Sequence, residues 1–203
     1  MHYIDEISFA AEKLFEGIFH EQEYLQTLIQ KLRGLKAEIN RLYQVSNFSA
    51  LNPDLDDEGL GTASYWEAYF EKEPELDKVA KEVDDLKNRI ESRTTARASL
   101  AAALLQIAKQ GISMVHGTAP GPSGRSIGSL TLRTLIWEAR NQSMHYEGGC
   151  VHPPVRACFE TLAAETGKST LRDYNVRNLA YEVIEVLGWH SLADFKADLT
   201  TLL

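Results

Sequence analysis

Residues 4–46 carry a seven-residue apolar repeat, and this repeat limits the fold more than any other feature of the chain. Ala11, Ile18, Leu25, Leu32 and Ile39 recur every seventh position. Ile7, Leu14, Leu28, Leu35 and Leu42 form a second row, offset by three or four. On a helix of 3.6 residues per turn the two rows merge into one stripe. A stripe this long calls for another helix alongside, as in a coiled coil. One place in it is polar: Glu21 falls in the second row.

The partner helix is predicted over residues 75–112, with Pro74 at its start, where a missing N–H costs nothing. Leu76, Val83, Ile90 and Leu104 make one row; Val79, Leu86, Leu100 and Ile107 make the other, and Arg93 and Arg97 intrude. Antiparallel pairing with Leu42 opposite Leu76 brings Glu21 opposite Arg97. An ion pair between them inside the hairpin is expected to fix register more than to add stability. Residues 47–74 are expected to connect the two helices. Asn52-Pro53-Asp54 and Asp56-Asp57-Glu58-Gly59 have turn chemistry. Thr62 to Glu71 reads as a short helix capped by Thr62 or Ser64. Its aromatics Tyr65, Trp66, Tyr69 and Phe70 are expected to cap the bundle end rather than bind a ligand.

Residues 113–128 hold four glycines and two prolines and read as a loop. Gly121-Pro122-Ser123-Gly124-Arg125-Ser126 has neither the lysine nor the glycine spacing of a phosphate loop, and no strand precedes it. A third helix, capped by Ser129 or Thr131, carries Leu130, Leu132, Leu135, Ile136 and Ala139 and stops at Gly148-Gly149. Helix four spans Pro154 to Glu165, with Val155, Cys158, Phe159, Leu162 and Ala163 inward. Helix five opens at Asp173 or Asn175, carries Val176, Leu179, Val183 and Val186, and breaks at Gly188. Ser191 caps a last helix through Phe195, Leu199, Leu202 and Leu203. No stretch shows convincing strand alternation. The expected fold is all-α, one domain over 1–203: a long antiparallel hairpin plus a compact bundle at 129–203.

Charge separates the two halves. Residues 1–112 hold 13 Lys/Arg against 20 Asp/Glu, and residues 113–203 hold 8 against 9, within a chain of net charge −8. Such acidity argues against broad nucleic-acid binding. The cations of the second half are mostly arginines, which fits phosphate contacts and fits surface ion pairs equally well. The apolar runs read as too short to span a bilayer. The stretch Met-His-Tyr-Ile-Asp-Glu lacks the basic region of a signal peptide. With only Cys150 and Cys158, a disulfide framework or zinc cluster is not expected. A reduced, cytoplasmic setting is expected, with no membrane partner, no metal and no cofactor.

The chemistry concentrates in Arg140-Asn141-Gln142-Ser143-Met144-His145. A guanidinium is a permanent forked cation that matches phosphate oxygens. An imidazole gives or takes a proton near neutral pH. Asn141 and His145 are four apart and share a helix face, and Arg140 lies one step around. The three converge only where the helix turns or frays, which the following glycines allow. Arg133, Arg125, Tyr146 and His116 are candidates for further substrate contacts. Tyr174-Asn175-Val176-Arg177-Asn178 is a second polar cluster, read as a cap of helix five, with a phosphate contact as the alternative.

The spacing Arg140-x4-His145, with Asn141 directly after the arginine, resembles the R-x(4–6)-H signature of the HEPN superfamily. The likeness covers residues 80–203 in architecture and specific residues only at 140–145. It implies a helical bundle and a metal-independent endoribonuclease of a toxin–antitoxin or phage-defence system. The RNA 2′-OH would be the nucleophile, leaving a 2′,3′-cyclic phosphate and a 5′-OH. On that likeness Arg140 binds the scissile phosphate, His145 is general acid or base, and Asn141 orients one of them. A homodimer pairing two motifs in a composite site is implied, with an antitoxin protein as a further partner. One toxin branch has tyrosine two residues after the histidine; here Tyr146 is adjacent and Glu147 takes that place, so that branch's modification is not carried over. The competing readings are an Arg140 paired with Glu138 or Glu147, a His145 that only caps its helix, and a non-catalytic dimerisation or RNA-binding module.

Overall fold

The computed structural model describes residues 3–50, 60–117, 119, 121–149 and 151–203. The fold is all-α, with six helices and one two-stranded hairpin among the described residues. α1 spans Tyr3–Ala50, α2 Leu60–His116, α3 Leu132–His145, α4 Pro153–Thr166, α5 Ala180–Leu187 and α6 Leu192–Thr200. The long α1–α2 pair packs closely, as the heptad rows require.

Helix replaces much of the expected connection. Residues 47–50 continue α1, and 60–74 belong to α2 with Pro74 in its interior. An internal proline costs about 3 kcal/mol, which is why a helix start was expected there. It removes one N–H from the ladder, and the turns on both sides carry the helix across. The turn at 52–59 and the surroundings of the aromatic cluster at 65–70 lie outside the described residues.

The chain divides into two units, Met1–Gln22 with Thr94–Leu203, and Glu23–Arg93. In the second unit Leu25, Leu28, Val83 and Leu86 are buried. Lys31 pairs with Glu82 at 2.7 Å, and Arg89 donates to the Tyr24 hydroxyl at 2.6 Å. Arg93 lies over the Tyr24 ring, 4.8 Å from its centroid. These are antiparallel partners.

In the first unit one cross-helix contact falls within a residue of the heptad alignment. The Arg97 guanidinium donates to Gln22, next to Glu21. It also lies 3.6 Å from the Tyr181 ring centroid, with Glu182, Glu185 and Arg177 also nearby. Glu21 is buried close by, at 9% exposure. A cross-helix bond to Arg97 is thus made by Gln22, the residue next to Glu21. Further along, the Tyr3 hydroxyl donates to the Ile107 carbonyl at 2.8 Å. Its ring fills the space where a Cβ on Gly111 would stand.

The core of this unit joins Ala11, Phe15 and Ile18 of α1 and Ala101, Leu104, Leu105, Ala108 and Ile112 of α2 to the later helices. Phe159, Trp189 and Phe195 are its largest ring contributors, with Trp189 edge-on to Phe195 at 4.9 Å. Each fully buried large apolar side chain contributes roughly 1.5–3 kcal/mol. Within Pro74–His116 one 18-residue window has mean hydropathy 1.3, long and apolar enough by composition to cross a membrane, contrary to the sequence expectation; 44% of it is buried in the fold.

The loop read at 113–128 is shorter than expected. α2 runs to His116, and Ser126–Ile127 (β1) pairs antiparallel with Leu130–Thr131 (β2), Ile127 opposite Leu130. Gly128 and Ser129 form the two-residue turn, with Gly128 at φ +58°. A side chain there would also collide with the Glu165 carboxylate, which accepts the Ser129 N–H at 3.1 Å. Two-residue strands are too short to show alternation, hence their absence from the sequence reading. Thr131, of the two candidates, caps α3 by accepting the Thr134 N–H at 3.2 Å. Ser191 caps α6 as expected. Helix five starts later than expected: residues 169–172 form a 3₁₀ turn, Val176 is exposed, and Asn178 accepts the Ala180 N–H at 2.9 Å.

Candidate active site

α3 carries the motif in its last two turns. Leu132, Leu135, Ile136 and Ala139 face the core, and the same face continued reaches Gln142 and Ser143, both buried. The helix ends at His145, where φ is −131°, and a 3₁₀ turn at Tyr146–Gly148 closes on Gly149 at φ +66°. The glycine stop thus leaves His145 and its neighbours at an exposed helix end.

Arg140 and Asn141 are linked. Arg140 Nη1 points to Asn141 Oδ1 at 3.4 Å, and its Nε donates to Gln106 Oε1 of α2 at 2.6 Å. Both partners are neutral amides. Among the described residues no carboxylate pairs with this guanidinium. The two acids that would compete are held elsewhere. Glu147 accepts from the Tyr146 hydroxyl at 3.0 Å, and Glu138 is hydrogen-bonded by Asn141. Burial pushes the Glu138 carboxyl above its usual range, against the Asn141 bond and nearby His152. Burial, then the Glu147 contact, likewise raises the Tyr146 phenol.

Asn141, His145 and Tyr146 border one narrow crevice, shared with Val151, His152 and Val155. Its free volume is about 10 Å³, room for about one water. A wider cleft of about 450 Å³ adjoins it through Val151 and is bordered by Pro153, Arg156, Glu160, Tyr174 and Asn175.

The other candidates are tied into the fold. Arg125 forms a two-pronged ion pair with Asp198, both arms 2.8 Å, and also donates to the Leu187 carbonyl. Asp198 in turn accepts the Trp189 indole N–H at 2.8 Å. Arg133 donates to the Gly121 carbonyl at 2.9 Å and lies 3.4 Å from that of Ala119, pinning the glycine-rich loop. His116 Nε2 meets the Leu202 carbonyl at 2.7 Å and must be the donor. Arg177, in the second polar cluster, is shared between Asp173 and Glu182. Tyr146 alone of the proposed extra contacts sits with the motif.

Three residues escaped the sequence reading. Gln142 makes three hydrogen bonds, two of them buried, and the inward stripe of α3 already pointed to it. Gln106 and His152 carried no signal, because only the tertiary packing of α2 and α4 brings them beside α3. Among the described residues no three His, Cys, Asp or Glu side chains gather as a metal site. The chain matches no protein-family model, no curated protein and no solved structure.

Proposed function

We propose that this protein is a metal-independent endoribonuclease of HEPN type, acting as a toxin or phage-defence effector. The observation that carries the reading is the state of Arg140. It is a cation without a carboxylate partner, joined to Asn141, which shares a crevice with His145. A fixed guanidinium held by neutral amides is ready for an anion, and phosphate fits its fork. Arg140 holds the scissile phosphate and stabilises the charge that builds on it. His145 transfers a proton, and Asn141 keeps the guanidinium aimed. The 2′-oxygen attacks phosphorus and the 5′-oxygen leaves, so RNA rather than DNA is the substrate. The adjoining cleft of about 450 Å³, with exposed Arg156 on its wall, accommodates a flanking nucleotide. Two copies of the chain pair in the working form, and a protein antitoxin restrains it.

Incubation with total RNA in EDTA tests this. Cleavage with 2′,3′-cyclic phosphate ends is expected, falling at least about 100-fold in His145→Ala. Cleavage is also expected to fall in Arg140→Lys, which loses the fork but keeps the charge. An inactive wild-type protein, or cleavage indifferent to His145, rejects the reading. It would favour the non-catalytic dimerisation or RNA-binding module, for which the engagement of Arg125, Arg133 and His116 in the fold already speaks.

A further inference from the structure

We propose that His152 is the second proton-transfer residue of this site, so that acid and base both come from one chain. The inference rests on the ribonuclease reading and deepens it. Transesterification of RNA moves two protons. One leaves the 2′-OH as O2′ bonds to phosphorus, and one joins O5′ as the P–O5′ bond breaks. One neutral imidazole takes the first, and one protonated imidazole supplies the second. Solvent exchange restores both afterwards.

His145 and His152 line the same crevice, together with Asn141 of the motif helix. Its free volume is about 10 Å³, room for about one water, so the two side chains border one small space. The two reach it from different elements. His145 ends α3, and His152 is the residue just before α4. Pro153 holds His152 in extended backbone, ψ 142°, because a residue before proline is barred from the helical region. His152 stands at the capping position, yet its ring makes no capping bond. Both rings are exposed, and among the described residues neither has a hydrogen-bond partner. Glu138 lies near both Asn141 and His152.

The experiment compares wild type, His145→Ala, His152→Ala and His152→Gln on two substrates, each in EDTA. One is an ordinary RNA oligonucleotide. The other has sulfur in place of the bridging 5′-oxygen, a leaving group that departs without a proton. On ordinary RNA, kcat is expected to fall about 100-fold or more in both His152 variants with KM unchanged. On the sulfur-bridged RNA, one of the two histidine positions and not the other recovers wild-type rate. Mixed His145→Ala and His152→Ala chains stay inactive, since neither holds a complete pair. Because His152 is exposed, unchanged thermal midpoints are expected. Cleavage of ordinary RNA by His152→Ala within about threefold of wild type overturns the proposal and leaves the ribonuclease reading standing. A rise in KM alone, the same response of both positions to sulfur, or activity regained on mixing also overturns it. A wild type that cleaves neither substrate removes both the proposal and the reading beneath it.

Discussion

Gln142 Oε1 accepts the backbone N–H of Leu179 at 3.0 Å. The same side chain donates to the carbonyls of Tyr174 and Arg177, at 2.8 and 2.7 Å. One amide inside the motif therefore holds the irregular segment that leads into α5. That segment has no helix or sheet ladder of its own, so its buried polar groups depend on Gln142. Gln142→Leu keeps the volume but strands an N–H and two carbonyls. A loss of roughly 2–4 kcal/mol is expected in urea unfolding, with the slope unchanged. A cost within error of zero would show that water replaces the amide there.

Asp198 does a comparable job at the other end of the bundle. It is 8% exposed and satisfies both Arg125 and the Trp189 indole. Asp198→Ala leaves a buried indole N–H and a half-exposed guanidinium without their acceptor. We expect it to cost roughly 2–4 kcal/mol, and Asp198→Asn less, because the amide oxygen still accepts one bond. Arg125→Ala is expected to cost less again, as that guanidinium is the more exposed partner.

Cys158 lies in the core face of α4, and burial pushes its thiol up to about 12, with the Glu138 charge adding to the shift. The thiolate is the reactive form, so only about one in 10⁴ molecules presents it at a pH near 8. In a Cys150→Ser background, iodoacetamide is expected to leave the folded chain unmodified and to label it fully in denaturant. Rapid native labelling would mean that α4 opens on the timescale of the reaction.

Glu138 supplies a pH test of the same neighbourhood. Burial raises its carboxyl above the ordinary 4.5 in the fold. A carboxyl raised on folding stabilises fully below its unfolded value, and that contribution is lost as pH rises through the folded value. Glu138→Gln retains a partner for Asn141 without the charge. Its stability relative to wild type is expected to rise between acid and neutral pH, measured by thermal midpoint. A difference that stays flat across that window would place the carboxyl in effective contact with water.

Much of the architecture was legible before any coordinate. The heptad rows called for the α1–α2 pair, since a long apolar stripe is stable only against another. Gly149, Gly167 and Gly188 all take the left-handed backbone that ends a helix or turn, at φ from +66° to +69°. Thr131 and Ser191 cap the helices that follow them. These signals act over a few residues and depend on local sterics and hydrogen bonding, so they can be read in one dimension. The proline at 74 misled because its cost competes with the cohesion of a long helix, which is not a local quantity.

The sequence by itself determined that the chain is helical, where most helices stop, and that Arg140, Asn141 and His145 fall near the end of one helix. Only the tertiary structure decided which cations are occupied. Arg125, Arg133 and His116 are drawn to Asp198 and to loop carbonyls, while Arg140 meets two neutral amides. Only it, too, set His152 beside His145. Helix periodicity fixes which face a residue lies on. Which groups meet across the core depends on how separate elements pack, and with it whether a charge is paired with a carboxylate or held by neutral groups.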